Sequence, residues 1–142
     1  MKFPSLVVIG VLILAATRPS TAHHSLAGTY VLDETSSIVG TIVQFTVRNP
    51  HSFISLDVRD STGSIVRWDV EWDAAKLLAQ TGVTAQTLKA GDSVMIIGRP
   101  PRDMNEHKLL MKVIRRPADG WTWGERPEEV IKGYTFPTPA PR

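Results

Sequence analysis

The chain has 142 residues, with 16 Lys and Arg against 14 Asp and Glu, and no cysteine. That length suits one domain with a real core. The missing cysteines rule out a disulfide framework and thiolate metal centres, and a formal charge of only +2 argues against a binder of phosphate backbones.

The first residues read as an export signal. Lys2 supplies the positive start, Leu6 to Ala16 form an uncharged run of eleven, and Ser20 and Ala22 put small residues where a signal peptidase looks. A spanning helix needs about 20 apolar residues, so this run is too short to be an anchor. The expectation is a signal peptide over residues 1–22 and a periplasmic or secreted mature protein. Its removal takes 22 from 142 and leaves 120 residues. Only Lys2 and Arg18 go with it, so Lys and Arg fall from 16 to 14 against 14 acids, and the mature charge is zero. An N-terminal arm, residues 23–37, comes next.

From Ile38 the chain alternates with period two, as a half-buried strand does. In "IVGTIVQFTVR" one face is read as Val39, Val43, Phe45 and Val47. Asn49-Pro50 breaks the strand. "SFISLDV" then places Ile54, Leu56 and Val58 on one face, and "DSTG" turns the chain. "SIVRWDVEW" follows, with Val66, Trp68, Val70 and Trp72 inward and Arg67, Asp69 and Glu71 on a charged solvent face. Asp73 is the expected cap of a short helix, "AAKLLAQ", with Ala74, Leu77 and Leu78 as its apolar side and Gly82 as its end. A fourth strand is expected over Ser93 to Arg99 and a fifth over "HKLLMKVIRR". Gly40 and Gly98, inside strands, point to bends or bulges.

Three strands, a helix and two more strands is the order of a five-stranded Greek-key barrel of the OB type, here over residues 38–116. Another partly open barrel or a small sandwich is the alternative. The remaining residues, 117–142, hold five prolines and read as an extended Trp/Pro-rich tail. Trp121, Trp123, Tyr134 and Phe136 are its candidate anchors, either strapped over the barrel or docking a protein partner.

The sequence resembles a family of exported bacterial proteins known only as domain of unknown function 6152. The likeness is carried by "AHHS" at Ala22 to Ser25, "NPHS" at Asn49 to Ser52, "WDVE" at Trp68 to Glu71, "LKAGDSV" at Leu88 to Val94 and "GRPPRD" at Gly98 to Asp103. Leu26 stands where the pattern has an aromatic, and "FTVR" precedes Asn-Pro-His where a tryptophan is usual. The resemblance implies export and an OB-like fold, and no activity.

The chemistry-bearing candidates are histidines. A mature chain starting at His23 presents its α-amine and its own imidazole to one ion. The amine has an ordinary pKa of about 8, so a metal displaces its proton cheaply. His24 adds a third nitrogen. Nitrogen-rich sites of this kind suit Cu(II), so copper is favoured over zinc or nickel. His51, in the turn between the first two strands, shares a face with Phe53, Ser55 and Asp57 and is the candidate fourth ligand. The bland reading makes His51 a turn residue bonded to backbone and His107 solvent-facing. No HExxH or CxxC motif is present.

No catalytic residue is assigned. His51 and Ser52 are neighbours on an extended segment and point apart, which spoils proton transfer between them. Nucleic acid is disfavoured because Arg67 is interleaved with Asp69 and Glu71. Arg99, Arg102, Arg115 and Arg116 form the one basic patch the sequence offers, near the ends of the last two strands. The expectation is an exported, non-catalytic binding or accessory module using His23, His24 and His51. A metal-free interaction module built on the tail is the alternative.

Overall fold

In the computed structural model, which describes residues 26–134, the alternation of the sequence becomes the inner wall of a closed barrel. The elements in chain order are α1 (Leu26–Thr29), β1 (Ser36–Thr46), β2 (Ser52–Arg59), β3 (Ile65–Trp72), α2 (Ala75–Gln80), β4 (Ser93–Arg99), β5 (Lys108–Arg116), β6 (Trp121–Gly124) and α3 (Pro127–Lys132). The sheet order is β3-β2-β1-β4-β5-β6, and β3 also pairs with β5. That last pairing is parallel and short, Asp69 to Lys108, Val70 to Leu109 and Glu71 to Leu110. It closes β1 to β5 into a barrel with α2 between β3 and β4, which is the OB topology.

The strands fill the barrel as their alternation requires. β2 buries Ile54, Leu56 and Val58, and β3 buries Val70 and Trp72. Val94 and Ile96 from β4 and Leu109, Met111 and Ile114 from β5 complete the cluster. β1 departs from the expected parity. Ile38 and Ile42 face the core, while Val39 and Val43 are only half-buried. The cause is a bulge between Ile42 and Gln44, which pair with the consecutive residues Leu56 and Ser55 and leave Val43 as the extra residue. Beyond the bulge the faces are exchanged, and Phe45 turns inward to lie 5.7 Å from the Trp72 ring.

The two strand glycines are there for lack of room. A Cβ on Gly40 would sit 2.8 Å from the Asp57 carbonyl oxygen, and one on Gly98 would sit 2.6 Å from that of Leu110. Gly98 lies at the second bulge, between Ile97 and Gly98 on the β5 side of β4.

Helix α2 corrects the sequence reading in two respects. Its N-cap is Ala74, which makes no side-chain cap bond, rather than Asp73. The Ala75 N–H is satisfied instead by the Arg48 carbonyl at 3.0 Å. Leu78 is fully buried and plugs the barrel, but Leu77 is 51% exposed, since a helix this short turns only one stripe inward.

The segment after Arg116 carries more regular structure than its prolines suggest. β6 pairs antiparallel with Val113 to Arg116 of β5, on the edge whose earlier residues pair with β3. Trp123 lies edge-on to Trp72 with centroids 4.9 Å apart, and its indole N–H donates to Thr81 Oγ1 at 2.8 Å. α3 begins with Pro127, has Glu128 and Glu129 in its first turn and Lys132 in its last, the order its dipole favours. α1, α2 and α3 make three short helices among the described residues where one was expected. None of the described helices is long and apolar enough to cross a membrane. Residues 1–22, expected as a signal peptide, Phe136 and the final prolines lie outside the described residues.

Candidate functional site

The turn between β1 and β2 is held from inside. Asn49-Pro50 is a cis peptide bond. Ser52 is wholly buried, and its hydroxyl accepts from the Arg48 N–H at 3.2 Å and donates to the Arg48 carbonyl at 3.3 Å. The Ser52 N–H donates to the Asp73 carbonyl at 3.1 Å. Arg48 folds its guanidinium over the Phe53 ring at 5.1 Å. His51 is thus presented from a backbone fixed on both sides.

Its ring does not bond to backbone. Nδ1 meets Glu71 Oε1 on the neighbouring strand, and the other oxygen of that carboxylate, Oε2, accepts the Tyr30 O–H at 2.7 Å. Glu71 was read as part of a charged solvent face, yet its side chain is 14% exposed against 40% for His51. Arg67 and Asp69 do behave as that reading expects. Arg67 pairs with Asp57 at 2.8 Å, and Asp69 accepts the Ser55 hydroxyl at 2.6 Å, both at exposed positions where such pairs are worth little.

Tyr30 is the residue the sequence reading missed. Only 2% exposed, it pins the N-terminal arm to the barrel. Burial first, then the hydrogen bond to Glu71 and the charges of Glu71, Glu106 and Asp69, push its phenol well above the usual range, so it acts as a donor throughout the physiological range. The loop after β4 grips the arm on its other side. Tyr30 bridges to Pro101, and the Val31 N–H donates to Pro100 and the Arg102 N–H to Thr29, each at 2.9 Å. The Arg102 Nε–H donates to the Ala27 carbonyl at 2.6 Å. Three of the five sequence motifs therefore meet the arm at one end of the barrel: the Asn-Pro-His-Ser turn, Glu71 of Trp-Asp-Val-Glu, and the Gly-Arg-Pro-Pro-Arg-Asp loop.

Beside this junction lies a cleft of about 490 Å³ lined by Thr29, Tyr30, Phe53, Arg67, Asp69, Glu71, Glu106, His107 and Lys108. His107 is exposed, with its ring 5.4 Å from that of Trp68. Lys108 sits 5.8 Å over the Tyr30 ring and pairs with Glu106 at 2.7 Å.

His23 and His24 lie outside the described residues. Among the described residues no group of three or more His, Asp or Glu side chains is gathered as a metal cage. The expected basic patch is dispersed. β4 and β5 are antiparallel, with Arg99 opposite Leu110 and Arg115 opposite Met95, so the two pairs of arginines stand at opposite ends. Each of three is also engaged: Arg102 on the arm, Arg115 with Glu128 at 3.4 Å, and Arg116 with Asp92 at 3.0 Å and Asp119 at 2.8 Å.

Fold and site together define an OB-type barrel with a carboxylate-held histidine next to its docked N-terminal arm. The chain belongs to the family of unknown function DUF6152, whose profile matches residues 11–110, a span that includes His23, His24 and His51. No curated protein matches it. Among solved structures it is similar to the mitochondrial single-stranded DNA-binding protein Rim1 of S. cerevisiae, at 18% identity and a TM-score of 0.43 over 58% of this chain and 92% of that one. It is also similar to a ZRD-deleted mutant of TiaS in complex with agmatine, at 12% identity and 0.43, covering 67% of this chain and 24% of that one. A third is the S. pombe Stn1–Ten1 complex, at 19% identity and 0.39, covering 60% and 61%.

Proposed function

We propose that the protein is an exported, non-catalytic binding module that holds a transition-metal ion, copper favoured, between His51 and the nitrogens of a mature chain starting at His23 and His24. The observation that carries this reading is the carboxylate shared by His51 and Tyr30. Tyr30 follows His24 by six residues and His23 by seven, and seven residues of chain reach at most about 25 Å, so the tether from the anchored Tyr30 to either histidine is short. A histidine that gives one ring N–H to a carboxylate and keeps the other nitrogen for an ion is the usual arrangement at metal centres. The nitrogen-rich donor set suits Cu(II).

The hydroxyls near the site support the non-catalytic half of the reading. Ser52 is buried and committed to Arg48, and Ser55 donates to Asp69 rather than to His51, so neither is set against the histidine as a nucleophile. The tail-docking reading is weakened because Trp121 and Trp123 pack against the barrel core.

The test is a Cu(II) titration of the signal-processed chain, its first residue verified by mass spectrometry and its nitrogen ligands read by EPR. Tight binding that weakens with one extra residue before His23, and again in His51→Ala, is the expected result. Affinity no greater than that of an unstructured His-His peptide would end the metal reading.

A further inference from the structure

We infer that Glu71 and Tyr30 are positioning residues for His51, holding its ring in the Nδ1–H tautomer so that Nε2 is the nitrogen left for a ligand. The consequence for metal rests on the function proposed above; the tautomer itself does not.

A carboxylate oxygen accepts and cannot donate, so the contact between His51 Nδ1 and Glu71 Oε1 requires the proton on Nδ1. Glu71 cannot swing away to release it, because Oε2 is engaged by the Tyr30 O–H at 2.7 Å and Tyr30 is 2% exposed. The backbone adds its own restraint. Glu71 stands opposite Phe53 in the β2–β3 ladder and opposite Leu110 in the β3–β5 ladder, while Ser52 fixes the chain directly after His51. Nε2 takes no hydrogen bond from any described residue.

Tyr30 belongs to the arm, and the arm is seated by Pro101 and Arg102. The orientation of the His51 ring is therefore coupled to the seating of the segment that follows His23 and His24. An unseated arm removes the O–H from Glu71 and frees the carboxylate and the imidazole together.

The experiment uses the metal-free, signal-processed chain with ¹⁵N-labelled histidine. Long-range ¹H–¹⁵N correlations at about pH 8, above the ordinary histidine pKa of about 6.5, report the His51 tautomer. Wild type should be chiefly Nδ1–H. Glu71→Gln should weaken it, since the single amide oxygen must serve either His51 or Tyr30 and the amide NH₂ can donate to a bare Nδ1, and Glu71→Ala should lose the preference. Tyr30→Phe should lower the excess of Nδ1–H several-fold while the chain stays folded. A wild-type ring protonated at Nε2, or a Glu71→Ala ring unchanged from wild type, would overturn the inference. An unchanged ring in Tyr30→Phe would overturn the part assigned to Tyr30. With Cu(II) added, Glu71→Ala should bind about 10- to 100-fold more weakly, as loss of an outer-shell partner does. If the tautomer follows Glu71 but wild type binds copper no better than a His-His peptide, positioning stands and the metal reading falls. Tight copper binding with a tautomer indifferent to Glu71 would do the reverse, sinking the positioning role and leaving the metal reading in place.

Discussion

Ser52 is the one polar residue among the buried side chains described, and it is spent on the two backbone groups of Arg48. Ser52→Ala keeps the fold of the strand but removes the partner of two part-buried backbone groups, at a cost of about 0.5–1.5 kcal/mol. Urea denaturation measures the loss, and the His51 resonances should broaden as the turn loosens. Gly98→Ala tests a different limit. Its new methyl would meet the Leu110 carbonyl at 2.6 Å, and backbone cannot retreat as a flexible side chain would, so destabilisation of about 1–3 kcal/mol is expected by the same measurement. Both sites show what a sequence carries at this scale. A histidine in a proline turn announces itself, and so does a glycine inside a strand. The partner of the histidine does not, because Glu71 alternates with Arg67 and Asp69 and looks like any solvent-facing acid until β2 and β3 are paired and the arm is laid across them.

Elements bounded by turns and patterned without interruption were legible, and those that break their own period were not. β2 and β3 alternate and fall where the alternation places them, and β4 has the bounds its flanking turns set. In β1 a single bulged residue, Val43, exchanges the faces midway, and the apolar residues on both faces conceal the change. β6 folds straight back on β5 across the adjoining turn but is only four residues long, too short for a periodicity to reveal it. Its hold on the barrel gives two predictions. Trp123→Ala removes an aromatic set edge-on against Trp72 and a hydrogen bond to Thr81, and should cost about 2–4 kcal/mol in chemical denaturation. The β5–β6 turn has a pH dependence of its own. The hydrogen bond from Arg116 holds the Asp119 carboxyl below its ordinary value of 3.8. The folded chain binds that proton more weakly than the unfolded chain, so the stabilisation is complete above pH 3.8 and fades as pH falls through the lowered value. Asp119→Asn should be less stable than wild type at pH 7 and approach it in acid, as urea midpoints at the two pH values would show. Asp60, held down first by the Thr62 hydroxyl, acts in the same direction in its own turn.

For the molecule as a whole, the described residues after Arg116 are packed on the barrel, with β6 added to the β5 edge and Trp121 and Trp123 lying against the core. A chain ending at Arg116 loses β6 and uncovers Trp72 and the β5 edge, so it should lose cooperative unfolding and aggregate, which light scattering and thermal melts would register. Such a truncation reports on folding and cannot separate a docking tail from a metal site. The OB order itself was readable from strand count and the single intervening helix. The convergence of the motifs was not, since residues near positions 30, 51, 71 and 102 meet only once the barrel closes. That closure rests on three residue pairs, Asp69, Val70 and Glu71 against Lys108, Leu109 and Leu110, with one further bond from the Asp69 N–H to the His107 carbonyl at 3.0 Å. So brief a seam is where the wall should breathe first, and its amides should trade their hydrogens for deuterium sooner than those of the β1–β2 and β2–β3 ladders. Glu71 is one of the stitches. Each breath at the seam would slacken the grip on His51, and whatever settles against that histidine would slow the deuterium clock of the seam.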